Sequence, residues 1–202
     1  KELAKKEGVD PYYLLEKQAS TVPPGSNGVI PIFANVMDAK RWINAAPSFM
    51  QFDIEQPTQS GKKECFRAIE ESAAYVAYGH QSVIESVTRH KAKEMVFCGG
   101  ASKGFLGPQS LADVFGLTVK VPVVKEATAL GAAICAGAGA GLYSNIADAA
   151  EKLVKWERTL EPNENAHATY MRAYQHWRKV YEKCLDMVDN GLLNPLWRGA
   201  GA

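Results

Sequence analysis

Hydrophobic positions change period several times along this chain, and each change predicts a new element. Leu3 to about Thr21 reads as a helix with Leu14 and Leu15 on its buried side. Pro23-Pro24-Gly25 stops it, because proline cannot continue the hydrogen-bond ladder and glycine supplies the turn. Gly28 to Phe33 is a short apolar strand, and Pro31 places it at a sheet edge. Residues 34–63 carry no periodicity and hold Pro47, Pro57, Ser60 and Gly61; long stretches of this kind in compact domains are often functional. From Glu64, the residues Phe66, Ile69, Ala73, Val76 and Ala77 recur at three- and four-residue steps, predicting a helix with one apolar face that continues to about Val87.

Glu94 to Cys98 reads as a buried strand ended by Gly99-Gly100. A helix follows, from Ser102 or Lys103 to Phe115, with Gly116 as its stop. Leu117 to Val124 is a third strand, interrupted by Pro122. Ala127 to Ala136 predicts a helix ended by Gly137, Gly139 and Gly141, and Ala147 to Thr159 another, carrying Leu153, Val154 and Trp156. After the break at Glu161-Pro162-Asn163 comes a long helix with Tyr170, Tyr174, Trp177, Tyr181, Cys184 and Val188 at alternating four- and three-residue spacing, a packing seam. Mixed strands and helices without internal repeats or a flexible linker predict a single α/β domain.

Composition narrows the picture. The 202 residues are 47% hydrophobic, enough to bury a core without disulfides or metals. Lys plus Arg is 23 against 22 Asp plus Glu, a formal charge of +1, so no global field favours nucleic acid or an anionic membrane. The uncharged stretch from Ala127 to Tyr143 is Ala- and Gly-rich and shorter than the roughly 20 strongly apolar residues a membrane span needs, so it is expected to be a buried helix. Cys65, Cys98, Cys135 and Cys184 form no C-x-x-C pair and read as free thiols of a cytoplasmic protein. No two histidines stand at i, i+4, and no helical metal pair is present. The opening Lys1-Glu2-Leu3-Ala4-Lys5-Lys6-Glu7 resembles the interior of a helix, as expected of a fragment.

The most informative chemistry lies at strand–Gly99-Gly100-Ala101-Ser102-Lys103–helix. A main chain without Cβ atoms lets a flat ring or a phosphate come close. The same glycines serve equally well as a tight strand-to-helix turn. Neither P-loop nor G-x-G-x-x-G spacing is met. Gly137-x-Gly139-x-Gly141 follows a helix rather than a strand, which favours helix termination over a dinucleotide site. Asp113 and Glu126 read as solvated or capping carboxylates, and no nucleophile motif occurs.

Phe97 to Lys103 followed by Gln109-Ser110-Leu111-Ala112-Asp113 resembles the adenosine motif of the FGGY carbohydrate kinases. Val22-Pro23-Pro24-Gly25-Ser26 and Gly28 look like the turn before a strand of those enzymes. Glu64 to Glu71 resembles the family's second signature helix with its R-A-x-x-E core, and Glu126 to Ala133 the helix near the interdomain hinge. Pro31-Ile32-Phe33, Ala45 to Phe49, Val123 to Gly131 and Leu153 to Thr159 look like the branch whose substrate is linear 4,5-dihydroxypentane-2,3-dione, a quorum-sensing signal. Departures are Leu106-Gly107-Pro108-Gln109, where the family reads L-W-x-Q, and Ala34-Asn35-Val36-Met37 in place of G-E-R.

The resemblance implies an actin/Hsp70-like (ribonuclease H-like), helix-rich domain with an incomplete sheet, residues 1–202 forming the nucleotide side of a two-domain cleft. The complete enzyme would use ATP and Mg²⁺ to phosphorylate a hydroxyl of its small-molecule substrate; xylulose or glycerol as substrate, or a non-catalytic interaction domain, are the alternatives. Gly99, Gly100 and Ala101 would line adenine and ribose, Ser102 and Lys103 would cap the helix or approach the nucleotide, and Gln109 would lie near the adenine or be a plain surface amide. No catalytic or metal-binding residue is expected in this chain. An amino-terminal kinase domain and a phosphate hairpin have no counterpart here, so the expected partners are that domain and, through the apolar face left uncovered, a second copy. Turnover by this chain alone is not expected.

Overall fold

The computed structural model describes residues 1–37 and 41–199. Helices α1 (Glu2–Glu7) and α2 (Pro11–Ala19) replace the single expected helix. Gly8 closes α1 in the left-handed region (φ 67°), Asp10 caps α2 by accepting the Tyr12 N–H at 2.7 Å, and Pro11 takes the first helical position, where its missing donor costs nothing. Leu14 and Leu15 are half-buried, while Glu16 and Ala19 are buried.

Strand β1 (Ile30–Ile32) pairs antiparallel with β3 (Ser48–Met50), and β2 (Ile43–Ala45) pairs antiparallel with β7 (Pro195–Arg198). The stretch 34–63 therefore contains two strands where none was expected, although residues 38–40 lie outside the described residues. Pro31 is tolerated because, among the described residues, β1 has one neighbour. The third sheet has the order β4 (Glu94–Val96), β5 (Thr118–Pro122), β6 (Trp156–Leu160), parallel between the first two and antiparallel between the last two. The last strand corrects the expected helix over 147–159, because α6 (Ile146–Leu153) stops at Val154 and the chain alternates from Trp156 onward. Strand β4 is not buried as expected: it lies at the edge of its sheet, and Val96 is half exposed.

Between β4 and β5 a 3₁₀ turn, Gly100–Lys103, leads into α4 (Leu106–Phe115), which is buried at every position except Gln109. Gly116 ends it at φ 63°. Helix α5 (Ala127–Gly139) runs past Gly137 and ends on Gly139, the second glycine of its cluster. Gly137 lies against the Tyr143 ring, with 3.0 Å between that ring and the position a Cβ would take, while Gly141 turns the chain at φ 76°. Expected to be buried, α5 buries only Ile134 and Gly137, because its principal packing partner is α6.

The core gathers around α3 (Lys62–Thr88), α4 and α7 (Glu164–Asp189). On α7, Tyr170, Trp177, Tyr181, Cys184 and Val188 are buried, as the spacing predicted, and Tyr174 of the same seam is half-buried against the core. Trp177 donates from Nε1 to the Pro31 carbonyl at 2.8 Å, and the Ala45 N–H donates to the Tyr181 hydroxyl at 3.2 Å, so one aromatic face fastens two sheets. Helix α3 differs from expectation in part of the face it buries. Val76 and Ala77 pack against the core and Phe66 is half-buried, but Ile69 and Ala73 are exposed, and the buried positions are Glu64, Arg67, Ala68, Glu71, Ser72, Ala74, Tyr75 and Gly79. All four cysteines are free, and no helix among the described residues is long and apolar enough to cross a membrane.

Candidate nucleotide-binding turn

The end of β4 and the start of α4 are separated by Gly99 to Phe105, whose shape is fixed from several sides. Gly99 has φ 87° and ψ −174°, a conformation open essentially to glycine alone. Its N–H donates to the Lys125 carbonyl at 2.9 Å, tying the turn to the segment after β5. Its carbonyl accepts from both the Ser102 N–H (3.2 Å) and the Ser102 Oγ (2.7 Å). Ser102 is fully buried, so it shapes the turn from beneath. Its own carbonyl accepts from Arg158 Nη2 at 2.5 Å. Further on, the Phe105 N–H donates to the Glu16 carboxylate at 2.9 Å, which caps α4 from α2.

The outer side of this turn is bare. A Cβ added at Gly99 or at Gly100 would meet no atom within 4 Å, and Gly100, Ala101 and Lys103 are exposed. Lys125 and Glu157 form an ion pair beside it, and that contact is the main reason the Glu157 carboxyl lies below its ordinary range. The arrangement leaves a hydrogen-bonded main chain exposed on its outer side at Gly99 and Gly100.

Gln109 belongs to another surface. Its amide donates to Asp113 at 2.8 Å and to the Glu161 carbonyl at 3.0 Å, and it lines a shallow depression with Pro24, Asp113, Asn163, Asn165, Ala166 and Thr169. The structure thus groups Gly99 to Lys103 and leaves Gln109 apart from that group. Asp113 is buried rather than solvated, and accepts the Asn163 N–H at 2.8 Å at the start of α7. Arg158, Lys125 and Glu16, which hold the turn, were not anticipated. Only Arg158 carried a local signal, the alternation Trp156-x-Arg158-x-Leu160 of a strand.

A second turn is built on a charge. Gly25, Ser26, Asn27 and Gly28 all have positive φ (88°, 52°, 51° and 87°). Glu71 accepts the Gly25 N–H at 3.0 Å, the Ser26 hydroxyl at 2.8 Å and Arg67 Nε at 2.8 Å, while Arg67 Nη2 donates to the Tyr170 hydroxyl at 2.6 Å. Burial pushes the Glu71 carboxyl upward, against the pull of these donors. Among the described residues no group of three or more His, Cys, Asp and Glu side chains is placed to hold a metal ion.

Residues 1–140 match the family model for the FGGY family of carbohydrate kinases, C-terminal domain. The chain belongs to this family. It is 49% identical over 199 residues to the autoinducer-2 kinase of Salmonella paratyphi B, an alignment covering 98% of this chain and 37% of that protein. The chain therefore spans about a third of the length of the curated relatives it matches. Among solved structures it resembles the xylulose kinase of Rhodospirillum rubrum (TM-score 0.72, 19% identity, 88% of this chain and 35% of that one). It also resembles Plasmodium falciparum glycerol kinase with ADP (TM-score 0.69, 20% identity, 91% and 36%). This FGGY domain accordingly has the helix-rich, actin/Hsp70-like α/β fold of sugar kinases, carried here on small separate sheets.

Proposed function

We propose that this chain is the nucleotide side of an autoinducer-2 kinase, an enzyme that transfers the γ-phosphoryl group of ATP to a hydroxyl of linear 4,5-dihydroxypentane-2,3-dione. The observation that carries the substrate assignment is 49% identity, sustained over 98% of the chain, to a protein of that activity. The bare, rigidly held main chain at Gly99, Gly100 and Ala101 supports the nucleotide part, since adenine and ribose can rest on it without displacing a side chain. Ser102 shapes this seat, and Lys103 stands at its rim. Gln109 would reach the base only by releasing Asp113 or Glu161, so the weight rests on the first three residues.

Phosphoryl transfer depends on positioning and on neutralising charge, with a carboxylate taking the hydroxyl proton. Mg²⁺ bound with ATP would supply part of that charge, and no residue of this chain is assigned to it. In this reading the carboxylate belongs to the rest of the enzyme, which would close over the nucleotide to exclude water. The exposed apolar residues Val96, Val123, Val124, Leu142, Ile146 and Trp156 would then meet that remainder, or a second copy when it is absent. Alone, this chain would bind nucleotide weakly and show no turnover.

The test is a kinase assay on the full-length enzyme with ATP and dihydroxypentanedione beside xylulose and glycerol. Highest kcat/KM is expected for the dione. Preference for xylulose or glycerol would remove the substrate assignment, and titration with ADP separately reads the nucleotide seat.

A further inference from the structure

Arg158 reaches the glycine turn from β6. Its Nη2 donates to the Ser102 carbonyl, the one hydrogen-bond acceptor it meets among the described residues, while its Nε is buried without a partner. Leaving a buried donor unpaired is unfavourable. This half-buried guanidinium, which also lies near enough to Glu157 to help lower that carboxyl, makes its hydrogen bond to the turn. Ser102 in turn binds the Gly99 carbonyl through both its N–H and its hydroxyl. Glycine has more accessible conformations than any other residue, so the single shape of Gly99-Gly100 must be selected from outside. The Lys125 carbonyl pins one end of the turn and Arg158 pins the other.

We propose that Arg158 is a positioning residue for the nucleotide: by fixing the Ser102 carbonyl it orients the main chain of Gly99 to Ala101 and sets affinity for a purine nucleoside triphosphate without touching it. This rests on the reading of that turn as the nucleotide seat. Glu157 does not substitute for Arg158, because its carboxylate is paired with Lys125 and cannot donate to a carbonyl. Lysine is a partial replacement, keeping charge and a donor but losing the planar reach of the guanidinium.

The experiment uses the full-length enzyme carrying Arg158→Met, Arg158→Lys or Gly100→Val, with steady-state kinetics in both substrates and thermal melting. Arg158→Met is expected to raise KM for ATP about tenfold, with kcat and KM for the alcohol substrate within about twofold of wild type. Arg158→Lys should lie between, raised roughly two- to threefold, and Gly100→Val, which places a branched side chain on the seat, should raise KM for ATP at least as much as the methionine variant. If Gly100→Val raises KM for ATP but Arg158→Met only lowers the melting temperature, or raises both KM values alike, the role given to Arg158 is overturned while the seat stands. If Gly100→Val leaves KM for ATP unchanged, the seat itself is wrong and the proposal falls with it. Should the methionine variant not fold, the lysine variant decides: a raised KM for ATP at an unchanged melting temperature supports the proposal, and a wild-type KM overturns it.

Discussion

Two glycine turns in this domain meet opposite fates. At Gly25 to Gly28 four successive left-handed residues meet a carboxylate: Glu71 accepts from Gly25 and Ser26 on the inner side, with Arg67 and Tyr170 behind it. Gly25, Gly28 and Glu71 also line a cavity of about 130 Å³ with Tyr75 and Trp177. At Gly99 to Ser102 the hydrogen bonds all lie underneath, and the outer side meets nothing. Sequence alone shows both as glycine-rich turns beside a strand. What separates them is whether the protein supplies its own occupant. The first is tied to a buried carboxylate through its own polar groups; the second takes its bonds from main chain, Ser102 and Arg158 beneath it and offers its outer face to solvent.

The sharpest way to break this comparison is to remove the internal occupant. Glu71→Ala leaves Arg67 buried without its carboxylate and the Gly25 N–H without an acceptor, and is expected to cost about 3–5 kcal/mol. Equilibrium denaturation measures it; a loss below about 1 kcal/mol would mean that the turn holds itself. Within the open turn, two neighbouring glycines should respond differently. Gly99→Ala forces a side chain into a glycine-only conformation and should destabilise by about 1–3 kcal/mol. Gly100→Ala, which has no positive φ and no neighbour to strike, should be neutral or stabilising by up to about 1 kcal/mol. Equal losses at both would show that the turn is packed rather than open.

An effect of similar size tests the other end of the turn. A Cβ at Gly104 would lie 1.9 Å from Glu16 Oε1. Gly104→Ala should therefore push the carboxylate off the Phe105 N–H and cost about 1.5–3 kcal/mol, the worth of a charge-assisted hydrogen bond. In a Glu16→Ala background the same substitution should cost much less, and a double-mutant cycle reports the difference. Additive losses would separate Glu16 from the turn.

How far these features were legible depends on the range of the contacts that make them. The α7 seam was readable because Tyr170, Trp177, Tyr181, Cys184 and Val188 repeat at helical spacing and are buried on that face. The extent of α3 was readable too, but its buried face was so only in part. Phe66, Ile69 and Ala73 form the apolar pattern, whereas Glu64, Arg67 and Glu71 are taken inside by partners up to a hundred residues away. Helix α5 misled for the converse reason: an uncharged Ala–Gly stretch looks the same whether or not anything covers it. Strand β6 was lost because Leu153, Val154 and Trp156 extend the helical pattern of α6 before the two-residue period begins. The site divides in the same way. Gly99-Gly100 is a local signal, while Arg158, Lys125 and Glu16 are recognisable only once the chain has folded around it.

The smallest expected effect concerns Glu70, beside the start of α4, where the two halves of the comparison adjoin on α3. Burial pushes its carboxyl above the ordinary value of 4.5, and the charge of Glu16 adds to the shift. Its raised value means that the folded chain holds this proton at pH values where the unfolded chain has lost it. Stability from this group is thus fully present below the ordinary value and is lost as pH rises through the raised one. Glu70→Gln, which cannot ionise, should raise the denaturation midpoint slightly at neutral pH, and the gain should disappear as pH falls below 4.5. Combining it with Glu16→Gln should narrow that pH window, because one source of the shift is gone. A gain that persists unchanged into acid would assign the effect to packing against Gly107, whose missing Cβ leaves the room Glu70 occupies, rather than to charge.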